Sequence, residues 1–199
     1  MKIIWGKQEI NINNNEKAED IVKKIDELVM DEIITHVIFD EEEVYSDIEE
    51  YFDSYRQDIE VVKVITKSKK AFINETLLTA EEYLSNAIPI IEKLSESFYQ
   101  NPQTGDWNQF QRLTEGLTWI SNMLLHIDSL KERPSNWEDY ANLYKDFEAG
   151  VNELAESVEA NDTTLIADII QYEIHPVYKG LKELITNTID TEGCRSNVN

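Results

Sequence analysis

The sequence predicts an α+β protein: a small N-terminal sheet domain (1–67), an all-α bundle of two repeated helical hairpins (68–188), and a flexible polar tail (189–199). Two observations carry this. Short β-branched runs punctuated by turn residues fill the first 66 positions, whereas beyond them apolar residues step alternately by three and four. The second pattern is also written twice. Leu77, Ala80, Leu84, Ala87, Ile91, Leu94 and Phe98 return sixty residues later as Trp137, Tyr140, Tyr144, Phe147, Val151, Leu154 and Val158. Phe110, Leu113, Leu117, Ile120, Leu124 and Ile127 return at an offset of fifty-seven as Ala167, Ile170, Ile174, Val177, Leu181 and Leu184. Identity between the copies is slight, so the repeat preserves a packing seam. Four such stripes facing inward make a bundle.

Taken in order, Lys2–Trp5 and Gln8–Ile12 read as strands joined at Gly6-Lys7, a pair suited to a type II′ turn. Glu16 to Asp31 is a helix with Ile21, Ile25, Leu28 and Val29 on one face. Ile33 to Phe39 is β-branched and apolar, hence a buried strand; Asp40 to Glu43 is its turn and Val44-Tyr45 a short return. Ser46 and Glu49 form a capping-box pair before a short helix carrying Ile48, Tyr51, Phe52 and Tyr55. Glu60 to Thr66 alternates as a closing strand, with Val62, Val64 and Thr66 on one face.

This succession, with the Lys2–Ile12 hairpin, His36–Phe39 before an acidic turn and the closing Val61–Thr66 strand, resembles the β-grasp fold of ubiquitin-like proteins. A ferredoxin-like sandwich is the alternative. Conjugated members of that group end in a free Gly-Gly; here the chain continues through Lys67, so the resemblance implies a scaffold and no transfer to lysines. No closer family resemblance covers the whole chain.

The first long helix is expected to start between Ser68 and Asn74 and to run to about Gln100, kinked near Ser85 and Asn86 by Pro89. Asp106 with Gln109 is read as the cap of the second helix, and Ser135 with Glu138 as a capping box for the third. Asn161-Asp162 closes the third and caps the fourth, which holds Pro176 in its interior. The polar residues from about Thr188 are expected to fray.

The net charge is −22, from 18 basic and 40 acidic residues. Through Ile73 the chain has 10 basic and 18 acidic residues, net −8; the remainder has 8 and 22, net −14. Such a surface repels phosphate backbones and anionic bilayers, arguing against nucleic-acid and membrane partners. The single cysteine, Cys194, allows no internal disulfide, and Met1–Trp5 is too short an apolar run for a signal peptide. With no run near the roughly twenty apolar residues a membrane helix needs, the expectation is a cytoplasmic protein. The abundance of Ile, Asn, Lys and Glu fits an AT-rich bacterial genome.

Catalytic constellations are missing. Bundle metal sites use Glu-x-x-His pairs, but Glu173 and His175 stand two apart and diverge by about 200° around a helix. His36, His126 and His175 lie on different elements, Asp40–Glu43 lacks the glycine of a calcium loop, and no phosphate-binding glycine loop or nucleophile elbow occurs. Lys63, Lys67, Lys69 and Lys70 form a basic cluster at the junction. No catalytic residue, cofactor or metal is therefore expected. Six aromatic residues off the strict seams, Tyr83, Tyr99, Trp107, Trp119, Tyr172 and Tyr178, are the candidate partner-binding set. The leading expectation is a non-enzymatic adaptor, chaperone-like or regulatory module that binds a basic peptide or helix. A histidine/carboxylate metal-binding or enzymatic bundle and an acidic nucleic-acid mimic are the alternatives.

Overall fold

The structure, a computed structural model, describes residues 1–195 and separates into two compact units, Met1–Phe72 and a second beginning at Ile73. In the first, β1 (Lys2–Trp5), β2 (Gln8–Asn11), β3 (Glu32–Phe39), β4 (Glu42–Val44) and β5 (Val61–Ser68) form one sheet in the order β2-β1-β5-β3-β4. The β1–β5 pair is parallel and its neighbours are antiparallel, which is the β-grasp order. An opening hairpin also departs from a ferredoxin-like sandwich, whose first strand leads into a helix. Gly6 has φ +55°, the positive value needed at the first position of the hairpin turn. Helix α1 (Ala18–Val29) buries Ile21, Ile25 and Val29 against Ile3, Val37, Val62 and Val64. The alternation of β5 therefore puts Val62 and Val64 inside as read from the sequence.

Two local readings of this unit are corrected. The acidic run is a turn only at Asp40-Glu41, because Glu42 and Glu43 already belong to β4. Asp40, at φ +54°, accepts from the Val61 amide at 2.8 Å and so fastens the β3–β4 turn to the start of β5. The Ser46–Glu49 box does not form. Helix α2 (Ile48–Tyr55) starts after Asp47, whose left-handed backbone makes no side-chain cap.

The second unit contains most of α3 (Lys69–Tyr99), then α4 (Thr104–Ser129), α5 (Trp137–Glu159), α6 (Thr163–Ile169), a π-helical turn (Ile170–Ile174) and α7 (His175–Glu192). Asn101 and Asn161, sixty residues apart, both take left-handed backbone, φ +70° and +54°, just beyond α3 and α5. Asparagine tolerates that geometry, so the repeat extends to the helix ends. The α4 cap is a box between Gln103 and Asp106, not one using Gln109, and α5 starts after Asn136 without a side-chain cap, so Ser135–Glu138 is no box. Instead the Ser135 amide donates to Glu192 at 2.9 Å. Asp162 caps α6, accepting from the Leu165 amide at 2.9 Å.

Helix α3 stays continuous through Pro89. Pro176 is treated differently. It cannot donate, and its ring crowds the carbonyl four residues back, which is where the wider π turn lies. The extra residue in that turn shifts the face of α7: Tyr178, Ile185, Thr188 and Ile189 are buried, while the expected Leu184 is only partly so. The polar tail is likewise corrected. Helix continues to Glu192, the Cys194 amide donates to Asn74 Oδ1 at 2.9 Å, and the Arg195 guanidinium pairs with Glu81 at 2.7 Å. That guanidinium, helped by the Thr186 hydroxyl, holds the Glu81 carboxyl down at about 2. Ser196 to Asn199 lie outside the described residues.

Two side chains in this core are sensitive probes. A Cβ on Gly116 would sit 1.7 Å from Tyr83 Oη, so glycine is what admits the Tyr83 ring beside α4. Gly116→Ala should cost about 1–2 kcal/mol, overpacking outweighing the better helix propensity of alanine. The penalty should shrink when Tyr83 is Phe, because the offending hydroxyl is gone; equal thermal shifts in both backgrounds would contradict the packing. His175 is buried with Nε2 unpartnered, and burial holds its imidazole below the usual value of 6.5, Lys179 adding to the effect and Glu92 opposing it. A folded value below the unfolded one gives stability that is full above about pH 6.5 and declines as pH falls beneath it. Thermal melts from about pH 7 to 5.5 should show a steeper fall for the native chain than for His175→Leu; parallel curves would show that His175 does not contribute.

Candidate functional site

The contacts of the six off-seam aromatic residues divide them into three groups rather than one patch. Tyr178 is fully buried and belongs to the core, which corrects its place in a surface set. The shifted α7 face explains this. Tyr83 lies over it, with ring centroids 6.3 Å apart, and packs edge-on against Trp119 at 5.5 Å; Trp119 remains 37% exposed. Trp107 packs at 4.9 Å on Phe98 and at 5.7 Å on Phe110. Tyr99 donates to Asp168, whose carboxylate pushes the phenol up to about 12, with the exposed Tyr172 beside it.

A better-defined feature is a difference between the two hairpins at equivalent positions. Leu84, Ile91 and Phe98 of α3 are buried. Their equivalents sixty residues on, Tyr144, Val151 and Val158 of α5, are only half-buried. The neighbouring row of α5 is instead the core one: Tyr140, Phe147 and Leu154 are buried, where the first copy has Ala80, Ala87 and Leu94. Helix α5 has thus turned about its axis relative to α3, and side-chain volume has moved with it. Large aromatics replace two alanines in one row, while valines replace Ile91 and Phe98 in the other. That exchange was readable in the sequence, but a seam scored only as apolar or polar hides it.

The half-buried row forms one wall of a groove of about 580 Å³ between α4 and α5, with Phe110, Leu117, Phe147 and Leu154 among the residues at its base. The opposite wall carries Thr114 and Thr118, whose hydroxyls donate to their own helix carbonyls at 2.7 and 2.9 Å. With the hydroxyls engaged in this way, the wall is more apolar than its composition suggests. One end is fastened. Ser121 Oγ and Tyr144 Oη lie 3.0 Å apart, and Trp137 Nε1 donates to Asp128 at 2.7 Å. That bond, with the Arg133 guanidinium, holds the Asp128 carboxyl below its ordinary value. Glu148 and Glu159 edge the groove, and among the described residues lining it none is cationic.

Nothing in this groove constitutes a nucleophile with its base. His36 stacks on Tyr45 at 4.9 Å in the first unit, His126 lies on α4, and His175 is buried at the start of α7. Among the described residues no three His, Cys, Asp or Glu side chains are grouped to hold a metal ion, and no helix is long and apolar enough to cross a membrane.

No curated protein and no solved structure matches the chain. Residues 75–184, which hold the repeated hairpins and the whole groove, match the family described as Domain of unknown function (DUF8042), and the chain belongs to that family.

Proposed function

We propose that the protein is a non-enzymatic interaction module of the bacterial cytoplasm, an adaptor or regulator whose α4–α5 groove receives a basic peptide or helix. One observation carries the reading: Tyr144, Val151 and Val158 continue a stripe that is buried in the first hairpin and only half-buried in the second. Apolar surface left open beside a preformed groove is stabilised by a partner that covers it. Glu148 and Glu159 at the rim, and the net −14 beyond Ile73, favour positive charge in that partner. A metal-binding or enzymatic bundle gains no comparable support from how the histidines and carboxylates are placed. An acidic nucleic-acid mimic would have no use for an apolar row.

Val151→Glu places a charge on the half-buried row and should cost about 1 kcal/mol, whereas Leu154→Glu buries a carboxylate and should cost about 3 kcal/mol or more. In affinity capture from the native host, proteins retained by the native chain should be lost with Val151→Glu and should weaken as salt rises. Retention by Val151→Glu combined with loss on Trp119→Ala would move the site to the Tyr83–Trp119 face and overturn the groove reading.

A further inference from the structure

We infer that the occupant of the α4–α5 groove is a single cationic amphipathic α-helix of about four turns, with apolar residues at heptad spacing; this rests on the groove being the binding site.

The walls dictate a helix. Both are α-helices whose backbone groups are bonded along their own axes, so an extended peptide laid between them would find no ladder to join. Its amides would lose water against Leu117 and Phe147 without replacement, whereas a helix satisfies its own backbone. The spacing dictates the pattern. Tyr144, Val151 and Val158 recur every seven residues, the row that a partner helix meets in knobs-into-holes packing. The first hairpin shows the row geometry closed: Leu84, Ile91 and Phe98, at the same seven-residue steps, are all within the helical core. From Tyr144 to Val158 the row extends about 21 Å along the axis, which sets the length at about four turns.

Charge dictates the flanks. With Glu148 and Glu159 at the rim, lysines or arginines beside the apolar stripe meet carboxylates. A second copy of this chain is the wrong occupant for the same reason, since it would bring a unit of net −14 against another. The Ser121–Tyr144 and Trp137–Asp128 bonds bound the groove at the α4–α5 connection, so the helix ends against the Tyr144 ring and runs from there toward the end lined by Phe110 and Val158.

The test uses the full chain and four synthetic peptides, followed by fluorescence anisotropy. The first is a stapled helix with leucines at heptad a and d positions and lysines elsewhere. The second has its composition scrambled so that no stripe forms, the third replaces lysine by glutamate, and the fourth keeps the first's leucines but exchanges several lysines for prolines that hold it extended. The striped cationic helix should bind roughly tenfold or more tightly than the other three, and Val151→Glu should weaken it by a similar factor. Equal binding of the scrambled peptide would reduce the effect to charge attraction and overturn the inference. Tight binding of the extended peptide, abolished by Val151→Glu, would preserve the groove and overturn the helix. Binding of all four unaffected by Val151→Glu would overturn the groove itself. Dimerisation of the free chain in sedimentation, lost with Val151→Glu, would assign the groove to a second copy and likewise overturn the inference.

Discussion

The close approach of α5 to the π turn decides which face α5 can offer to the rest of the bundle. A Cβ on Gly150 would lie 3.2 Å from Ile174 Cδ1 and 3.3 Å from Glu173 Cβ, so glycine lets the two backbones draw together there. Gly180 faces Leu143, where an added Cβ would make only ordinary contact at 3.4 Å. Gly150 sacrifices about 1 kcal/mol of helix propensity, which the closer packing offsets. Drawn toward α6 and α7, α5 buries Tyr140, Phe147 and Leu154, while Tyr144, Val151 and Val158, beside α4, are left half-buried. The groove is thus a consequence of where the second hairpin packs tightly.

The first hairpin was legible in the sequence almost residue by residue. All six seam positions of α4 are buried, and of the seven on α3 only Ala87 is partly open. In the second hairpin Ala167, Ile170, Ile174, Val177 and Leu181 are buried as read, and the departures at Tyr144, Val151, Val158 and Leu184 have two physical reasons. A π turn adds a residue to the helix, and a pattern of threes and fours read through it drifts off the face, placing Leu184 inside in place of Ile185 and leaving Tyr178 outside. The second reason is that apolar periodicity records a stripe but not its centre. Residue volume does record it, as Ala80 and Ala87 giving way to Tyr140 and Phe147 shows. In the first unit the alternation along β5 and the Gly6 turn were sufficient to order the sheet. The capping boxes were not, because Glu49 and Glu138 have no pairing enforced by spacing alone when Asp47 or Asn136 ends up at the helix start.

The aromatic residues illustrate the limit for sites. Composition could mark Tyr83, Trp119 and Tyr178 as unusual, but only the fold shows that Gly116 opens the space through which Tyr83 reaches toward Tyr178, with the hydroxyls 3.5 Å apart. The last described residues depart from the sequence pattern for a related reason. Polar residues suggested fraying, yet Thr188 bonds to Tyr140 at 2.8 Å, Asn74 holds Cys194, and Arg195 bridges Glu81 and Asp190. In a unit with 22 acidic and 8 basic residues beyond Ile73, a guanidinium shared by two carboxylates relieves repulsion locally.

The groove exists only if equivalent positions in the two hairpins differ in exposure. With Cys194 replaced by serine, Ile91→Cys and Val151→Cys supply single thiols at positions sixty residues apart. Their labelling rates under native conditions measure that difference directly. Val151→Cys should react roughly tenfold or more faster than Ile91→Cys, which can be reached only when α3 opens. Equal, slow labelling of both thiols would mean that α5 is covered like α3, and the groove would not exist.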